Sequence, residues 1–270
     1  MKTRDVALIH PLFEPSIVAS IVVMAAFVLA AAPAAGQAAA AKSIPRLADG
    51  KPDFNGIWDR PRVNDISRDV NGCGSGASTS GCRQTGAGEL SYTAWGKEQV
   101  SGPRFDYAAR CLPWGYTRAM GTAYPVEIIQ TPKRLAYLFE SNNVFHVIPT
   151  DGRKLAEKAD PLWLGRSAGR YEGDTLVIET TGFNGQTWLD TAEHPSSDQL
   201  RVTERLRHID ADHLEYEVTF DDPKTYSKPF KNTRVWSRMK AGEELMEWWC
   251  MENNKDLLEG LISPTHTNQR

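Results

Sequence analysis

The first residues with chemical potential are a glutamate and a histidine on the predicted dry face of one strand. In the segment 200–208, apolar and polar residues alternate, and Glu204 and His208 fall on the apolar side. A carboxylate there is costly unless it is paired or hydrogen-bonded. Burial raises the pKa of a carboxyl group and lowers that of an imidazole, toward the values that general acid–base catalysis uses. The alternatives are a structural ion pair for Glu204 and a solvated position for His208.

Two further glutamates have apolar neighbours. Glu179 lies in a predicted strand of β-branched and apolar residues, and Glu247 shares a predicted strand face with Leu245 and Trp249. With Glu204, these residues would place three carboxylates inside one sheet. That arrangement predicts either a polar ligand pocket in a barrel or inward ion pairs. The arginines considered for such pairs are Arg166, Arg170 and Arg234.

The longest connection in the β region, residues 182–199, carries aromatic, acidic and histidine side chains. Long loops of this composition often form the rim or lid of a site. A pair of His194 with Asp190 or Glu193 would act as a general base, because the carboxylate sets the tautomer of the ring. An exposed loop with a solvated histidine is the alternative.

Eight strand-like segments separated by turn signals follow residue 125. A helix is predicted near Tyr92–Val100, with Ser91 as its N-cap. Short strands at hairpin spacing predict a mainly β fold, an antiparallel lipocalin-like barrel or curled sheet. The predicted strands are Val126–Gln130, Arg134–Glu140, Val144–Pro149, Asp174–Thr181, Leu200–His208, His213–Phe220, Lys231–Arg238 and Glu244–Met251.

The domain boundaries follow from changes in composition. Residues 37–124 are rich in Gly, Pro and Asn and are predicted to form an irregular segment packed on the β domain. The β domain itself spans residues 125–262, and residues 263–270 form a tail.

The first 36 residues have the pattern of a secretory signal peptide. Two basic residues near the start precede an apolar run from Ile17 to Ala32, and small residues follow it. The run has 16 residues and is shorter than the span of about 20 that a transmembrane helix needs. We therefore expect a periplasmic or secreted protein with no stable membrane anchor after cleavage. An uncleaved N-terminal anchor is the alternative.

Four cysteines in an exported chain predict two disulfides. Cys73 and Cys82 bracket a loop of small residues, which favours their pairing and leaves Cys111 with Cys250. No CxxC spacing is present that would favour a metal site.

Composition excludes some classes of function. The 270-residue chain has a net charge of −3, so we expect no nucleic-acid partner. No GxGxxG after a strand, Walker loop, HExxH or GxSxG motif is present, and the histidines lack convincing ligand spacing. The sequence therefore predicts chemistry without a metal or cofactor.

Several segments resemble landmarks of a large, mostly uncharacterised family of exported bacterial proteins. The resemblance covers most of the chain after the signal peptide and extends to the cofactor-independent phenylcoumaran decarboxylases, which act on a lignin-dimer carboxylic acid. The segments that carry it are residues 49–58, 128–132, 151–153, 165–180 and 202–205, Asp222-Pro223 with Tyr226 and Pro229, and Glu247 with residues 250–253.

The resemblance implies a cofactor-independent lyase that decarboxylates a lignin-derived aromatic acid in a barrel pocket. Such a reaction needs a carboxylate anchor, a proton-transfer group and aromatic walls. We assign the catalytic candidates as Glu204, His194, Glu179 and Tyr171. The substrate-binding candidates are Arg166, Arg170 and Arg201 for the carboxylate, and Trp188, Tyr216 and Trp236 for the walls.

Two other functions use the same residues. One is a periplasmic lipocalin-like binding protein for aromatic or apolar small molecules, and the other is a cofactor-free isomerase or hydrolase. In each case the expected partner is a small molecule, and the sequence leaves the oligomeric state open.

Overall fold

The computed structural model describes residues 43–68, 87–102, 107–155, 160–252 and 254–260. The chain divides into two units, Met1–Ala40 and Ala41–Arg270, and every described residue lies in the second. The predicted signal peptide, the Cys73–Cys82 disulfide and the tail at 263–270 lie outside the described residues.

Nine strands and three helices are found in the described part of the chain. The strands are β1 Gly56–Asp59, β2 Val126–Thr131, β3 Arg134–Phe139, β4 Phe145–Pro149, β5 Arg166–Glu172, β6 Thr175–Thr181, β7 Arg201–His208, β8 His213–Asp221 and β9 Phe230–Arg238. The helices are α1 Ala94–Ser101, α2 Tyr116–Gly121 and α3 Lys255–Leu258, and a 3-10 turn covers Ser141–Asn143.

All nine strands belong to one antiparallel sheet in the order β4-β3-β2-β1-β9-β8-β7-β6-β5. The sheet curls into a nearly closed barrel, with β4 and β5 as the two strands that meet. A side-chain hydrogen bond between His146 Nε2 and Ser167 Oγ, 2.6 Å long, joins these strands. Gly169 of β5 allows the two strands to approach closely, because a Cβ at this position would lie only 3.0 Å from the methyl carbon of Thr150. The predicted mainly β, barrel-like fold is confirmed.

The alternation of residues in β7 and β8 explains how the barrel acquires its dry interior. Every second residue of both strands is buried, beginning at Val202 in β7 and at Leu214 in β8. This is the period of two that places successive side chains on opposite faces of a sheet. Strands β7 and β8 pair along their whole length, with Glu204 opposite Val218. The predicted inward faces of both strands are therefore confirmed.

The segment before residue 125 takes a larger part in the sheet than predicted. Strand β1, which the sequence did not indicate, lies between β2 and β9 and joins the two halves of the sheet. With only four residues, it is too short to show a clear alternation. Strand β5 was likewise not predicted. Helix α1 begins two residues later than expected, with Thr93 rather than Ser91 as its N-cap.

The predicted strand Glu244–Met251 is wrong. This segment has no strand pairing and is held by side chains from the turn after β3. The Met246 N–H donates to the Glu140 carboxylate at 2.9 Å, and the Asn143 amide donates to the Trp248 carbonyl at 2.8 Å. A strand with one buried face has apolar residues at every second position. In this segment apolar residues such as Leu245 and Met246 are adjacent, so the sequence does not show that alternation.

Large aromatic side chains fill much of the interior. Trp58, Trp236, Tyr137 and Tyr216 are all at most 1% exposed. Helix α2 packs against the inward faces of β7 and β9. Its residue Tyr116 contacts Glu204 of β7. Its C-terminal carbonyls accept hydrogen bonds from Arg234 of β9 and from Arg60, the residue after β1. The helix thereby brings polar groups into an otherwise apolar interior.

Candidate functional site

Glu204 forms the centre of a hydrogen-bonded cluster inside the barrel. It is 0% exposed, and its two carboxylate oxygens accept hydrogen bonds from Tyr116 at 2.5 Å and Tyr216 at 2.8 Å. Burial raises the pKa of Glu204 to about 7, although the two phenols and the charge of Arg234 act in the opposite direction. The predicted inward position and raised pKa of this glutamate agree with the structure.

Two buried arginines lie near this cluster and bind the end of α2. Arg234 donates to the Met120 carbonyl at 2.8 Å, and Arg60 donates to the Ala119 carbonyl at 3.1 Å. Helix C-termini present unpaired carbonyls and partial negative charge, so cations are favourable there. Burial lowers the pKa of Arg60 to about 10, with Arg234 nearby adding to the effect. Both arginines therefore have a structural role in holding α2.

The rest of the interior contains both satisfied and unsatisfied polar groups. His146 bonds Ser167, and burial lowers the pKa of its ring to about 4, which keeps it neutral. The Tyr137 hydroxyl and the Trp236 indole N–H are buried and have no hydrogen-bond partner. Unsatisfied buried donors are rare in folded proteins and often mark a position for water or a ligand.

Of the two predicted partners of His194 in the loop 182–199, Asp190 rather than Glu193 forms the pair. The ring Nδ1 lies 2.6 Å from a carboxylate oxygen of Asp190, which also accepts the Ile66 N–H at 2.7 Å. Asp190 is 1% exposed, and the side chain of His194 is 15% exposed. The ring Nε2 lies 4.0 Å from Asp65. This carboxylate–imidazole arrangement orients the ring and leaves Nε2 for proton transfer.

Asp65 contributes negative charge next to the ring. Burial acts to raise its pKa, but hydrogen bonds from Ser67 and the neighbouring His194 outweigh that effect and hold the pKa below its usual value. The residue therefore remains a carboxylate beside the ring.

His194 lines an open cleft of about 580 Å³. Residues before and within α1 form much of its wall, including Tyr92 and Lys97, and Thr93 fixes the start of this helix by accepting the Gly96 N–H. The cleft thus combines a cation, a carboxylate, an aromatic ring, hydroxyl groups and a paired histidine. The full lining is Ser67, Glu89, Leu90, Ser91, Tyr92, Lys97 and His194.

One group of potential metal ligands is present among the described residues. Asp65, Asp190 and His194 each offer a ligand atom within 4.8 Å of the others. The 2.6 Å contact between Asp190 and His194 has hydrogen-bond length, and a metal ion between these atoms would need a wider separation. The geometry as it stands favours a proton-transfer pair over a metal centre.

The three arginines predicted to bind a carboxylate in the barrel are wrongly placed for that role. Arg166, Arg170 and Arg201 are exposed, and their strands direct them away from the interior. Glu179 also lies on the outer surface, where it forms an ion pair with Arg170 at 2.5 Å. Surface pairing explains its position in an otherwise apolar strand.

Glu247 is also exposed, contrary to the predicted inward position. Its carboxylate accepts the indole N–H of Trp249 at 2.6 Å. Because the segment is not a strand, the expected alternation of faces does not apply.

His208 is buried, with its ring nitrogens 2.9 Å from the carbonyls of Asp53 and Asp210. It therefore ties two backbone segments together rather than lying in solvent.

The predicted aromatic residues are distributed over three places. Tyr216 and Trp236 stack in the barrel with ring centroids 4.6 Å apart. Tyr171 accepts a hydrogen bond from Gln130 at 2.7 Å, and burial raises its pKa to about 12. Trp188 belongs to neither group and contacts Tyr107, with ring centroids 5.0 Å apart. The predicted site residues therefore do not converge on one pocket.

The predicted Cys111–Cys250 disulfide is present. Such a bond is compatible with an extracellular or periplasmic protein. In the part of the chain that the structure describes, no helix is long and apolar enough to cross a membrane.

Sequence reasoning missed the partners that complete each cluster. Tyr116 lies 88 residues from Glu204, and Asp65 lies in a segment that the sequence presented only as irregular. Lys97 and Tyr92 were assigned to a helix without a functional role. A period-based pattern carries no signal for contacts of this kind, because they depend on how distant segments pack.

No protein-family model matches the chain, and no curated protein matches it. The resemblance to exported bacterial proteins and their decarboxylases accordingly stays a prediction. The site is assigned from its own geometry.

Proposed function

We propose that the protein is a cofactor-independent lyase that decarboxylates an aromatic carboxylic acid, of the lignin-derived kind, in the cleft beside His194. The observation that carries this proposal is the 2.6 Å pair of His194 with buried Asp190 on the wall of an open cleft. We further propose that the chain is exported, with which the Cys111–Cys250 disulfide is compatible.

The cleft favours His194 over Glu204 as the proton-transfer residue. Glu204 is fully enclosed, and both of its oxygens already accept hydrogen bonds from tyrosines. His194 is partly accessible, and its Nδ1 is occupied by Asp190 while the other nitrogen remains available. A general acid or base must come within hydrogen-bond reach of the proton that it moves.

The proposed reaction couples loss of carbon dioxide to opening of an ether ring. The bond from the carboxyl carbon to the neighbouring carbon breaks, and its electron pair forms a carbon–carbon double bond as the adjacent C–O bond breaks. The ether oxygen leaves as a phenolate and receives one proton from His194 Nε2. His194 then regains a proton from solvent, so the overall reaction consumes one proton and releases carbon dioxide.

Other cleft residues supply the binding contacts that this reaction needs. The ammonium group of Lys97 is suited to attract the substrate carboxylate, and Tyr92 offers a ring against which an aromatic substrate can stack. Lys97 replaces the three surface arginines as the proposed carboxylate anchor. The Asp65 carboxylate lies 4.0 Å from His194 Nε2 and places negative charge beside the nitrogen proposed to transfer the proton.

The test uses the purified chain with a phenylcoumaran carboxylic acid, with substrate loss and product followed by chromatography. We expect turnover in the wild type and a loss of about 10²–10⁴-fold in kcat for His194→Ala. Lys97→Met should mainly raise KM. The matched control is His213→Ala, because His213 also pairs with an aspartate, Asp210, at 2.9 Å but is not among the cleft residues.

Each outcome decides one part of the proposal. Full activity in His194→Ala, with His213→Ala unchanged, would show that the cleft is not the reaction site. Loss of activity in a folded Glu204→Gln variant, with His194→Ala active, would place the chemistry in the barrel. Tight retention of unchanged substrate by the wild type would overturn the lyase assignment.

A binding protein for aromatic or apolar small molecules is the second candidate. The observation that favours it is the pair of unpartnered buried donors, Tyr137 Oη and Trp236 Nε1, in the barrel interior. A bound molecule with acceptor groups would satisfy both donors. Wild-type binding without turnover, weakened by Tyr137→Phe and unaffected by His194→Ala, would support this function.

A further inference from the structure

Arg118 lies in a cage of aromatic rings that is separate from the residues of the His194 cleft. Its guanidinium carbon is 5.4 Å from the ring centre of Tyr107, 5.4 Å from that of Trp114 and 5.9 Å from that of Trp188. Trp114 in turn contacts Trp248, with ring centroids 5.4 Å apart. The cage therefore combines one cation with several flat apolar surfaces.

The guanidinium of Arg118 lacks the acceptors that such a group requires. Its Nε and Nη1 atoms are buried without a hydrogen-bond partner, and so is the indole N–H of Trp114. Among the residues that the structure describes, no carboxylate forms an ion pair with Arg118. Leaving buried donors of a charged group unpaired costs free energy, on the order of 1–3 kcal/mol or more.

The other interior arginines show that this arrangement is unusual for the protein. Arg60 and Arg234 are buried more deeply, and both donate hydrogen bonds to backbone carbonyls of α2. Arg118 belongs to the same helix but is only partly buried, so a molecule can approach it from solvent. The unpartnered donors are themselves enclosed, but they belong to a side chain that is partly open to solvent.

The chemistry of the cage defines the ligand. Aromatic rings interact with the guanidinium through their faces, but they do not accept hydrogen bonds from the N–H groups at its edge. A carboxylate supplies acceptor oxygens and the opposite charge, and these bonds are the stronger, charge-assisted kind. A planar ring attached to that carboxylate can stack on the tryptophans of the cage.

We propose that Arg118, with Trp114 and Trp188, forms a binding site for the carboxylate of a planar aromatic acid. The carboxylate accepts hydrogen bonds from the guanidinium and from Trp114 Nε1, and the aromatic ring of the ligand stacks within the cage. This site uses none of the residues that line the His194 cleft, so it stands or falls independently of the proposed lyase activity.

The test measures binding of vanillate and of its uncharged methyl ester by isothermal titration calorimetry. We expect the wild type to bind vanillate at least about tenfold more tightly than the ester, as loss of a charge-assisted hydrogen bond predicts. Arg118→Gln should lose that preference. Arg205→Gln is the matched control, because Arg205 is a surface arginine that pairs with Glu172 at 2.8 Å.

Two further variants keep the proposal testable if Arg118→Gln fails to fold. Trp114→Phe retains a ring but removes the indole donor, so it should weaken vanillate more than the ester. His213→Ala should leave binding of both compounds unchanged, because His213 belongs to neither the cage nor the cleft. Equal affinity of the wild type for acid and ester, or unchanged vanillate binding in folded Arg118→Gln, would overturn the proposal.

Discussion

Glu204 shows how one enclosed carboxyl group can be tolerated inside an aromatic barrel. Two tyrosine hydroxyls donate to its oxygens, and Arg234 lies close enough to favour its ionised form. Burial nevertheless dominates and raises the pKa to about 7. The group is therefore close to half-ionised near neutral pH, and its ionisation affects stability whether or not it takes part in a reaction.

The stability of the wild type should fall, relative to Glu204→Gln, as the pH rises from about 4.5 to about 7. The folded state holds the proton of Glu204 more tightly than the unfolded state, so its stabilising effect is full below the ordinary pKa and declines above it. The shift corresponds to about 3 kcal/mol as an upper value. Urea unfolding at pH 4.5 and pH 8 measures the difference.

Comparison with the variant isolates this group. His146 titrates in the opposite sense, since burial lowers its pKa to about 4, but it is present in both proteins and its effect cancels. The same pH dependence in the wild type and in Glu204→Gln would contradict the assignment of the shift to Glu204.

At the scale of elements, helix α1 depends on one close contact with the barrel. Gly96 is the buried residue of this helix, and an added Cβ would overlap the Thr225 carbonyl oxygen. The Thr93 hydroxyl donates to the Lys224 carbonyl at 2.6 Å and accepts the Gly96 N–H at 3.0 Å. These contacts position Tyr92 and Lys97 on the cleft wall.

Gly96→Ala should displace α1 because backbone atoms cannot yield as a flexible side chain can. We expect a loss of about 1–3 kcal/mol in the free energy of unfolding, as for overpacked sites. Substrate affinity in the cleft should also weaken. Chemical denaturation and binding assays measure both effects, with the exposed Glu98→Ala in the same helix as the control. An unchanged unfolding free energy in Gly96→Ala would contradict this account of the helix contact.

At the scale of the whole molecule, the Cys111–Cys250 disulfide links the region before α2 to the segment after β9. The two cysteines are 139 residues apart, and the enclosed chain includes strands β2 to β9. The segment after β9 has no strand pairing of its own, so the disulfide supplements the few hydrogen bonds that hold it, such as that from Met246 to Glu140.

Replacing both cysteines, Cys111→Ser with Cys250→Ser, should lower the free energy of unfolding by about 2–5 kcal/mol, because the long loop is no longer closed in the unfolded state. The aromatic contact of Trp248 with Trp114 should also loosen, which thermal unfolding together with tryptophan fluorescence would detect. Unaltered stability in the double variant would show that other contacts hold the segment in place.

The sequence by itself indicated the antiparallel β character, the inward face of β7 with Glu204, a carboxylate partner for His194 from Asp190 or Glu193, and the Cys111–Cys250 disulfide. The strand faces follow from the period of two, and the pair needs only the geometry of one loop, with its members four residues apart. The strand faces and the pair are local features, so the order of residues is enough to indicate them. The disulfide joins cysteines 139 residues apart and was indicated because Cys73 and Cys82 bracket a small-residue loop, which leaves Cys111 with Cys250.

Only the tertiary structure decided which residues surround each group. Tyr116 reaches Glu204 over 88 residues, strand β1 inserts between β2 and β9, and Arg118 meets rings from three separate positions. The outward placement of Arg166 and Arg170 emerged only with β5, a strand that the sequence did not predict, whereas that of Arg201 follows the alternation of β7. These contacts depend on the packing of distant segments against one another, which no local periodicity specifies.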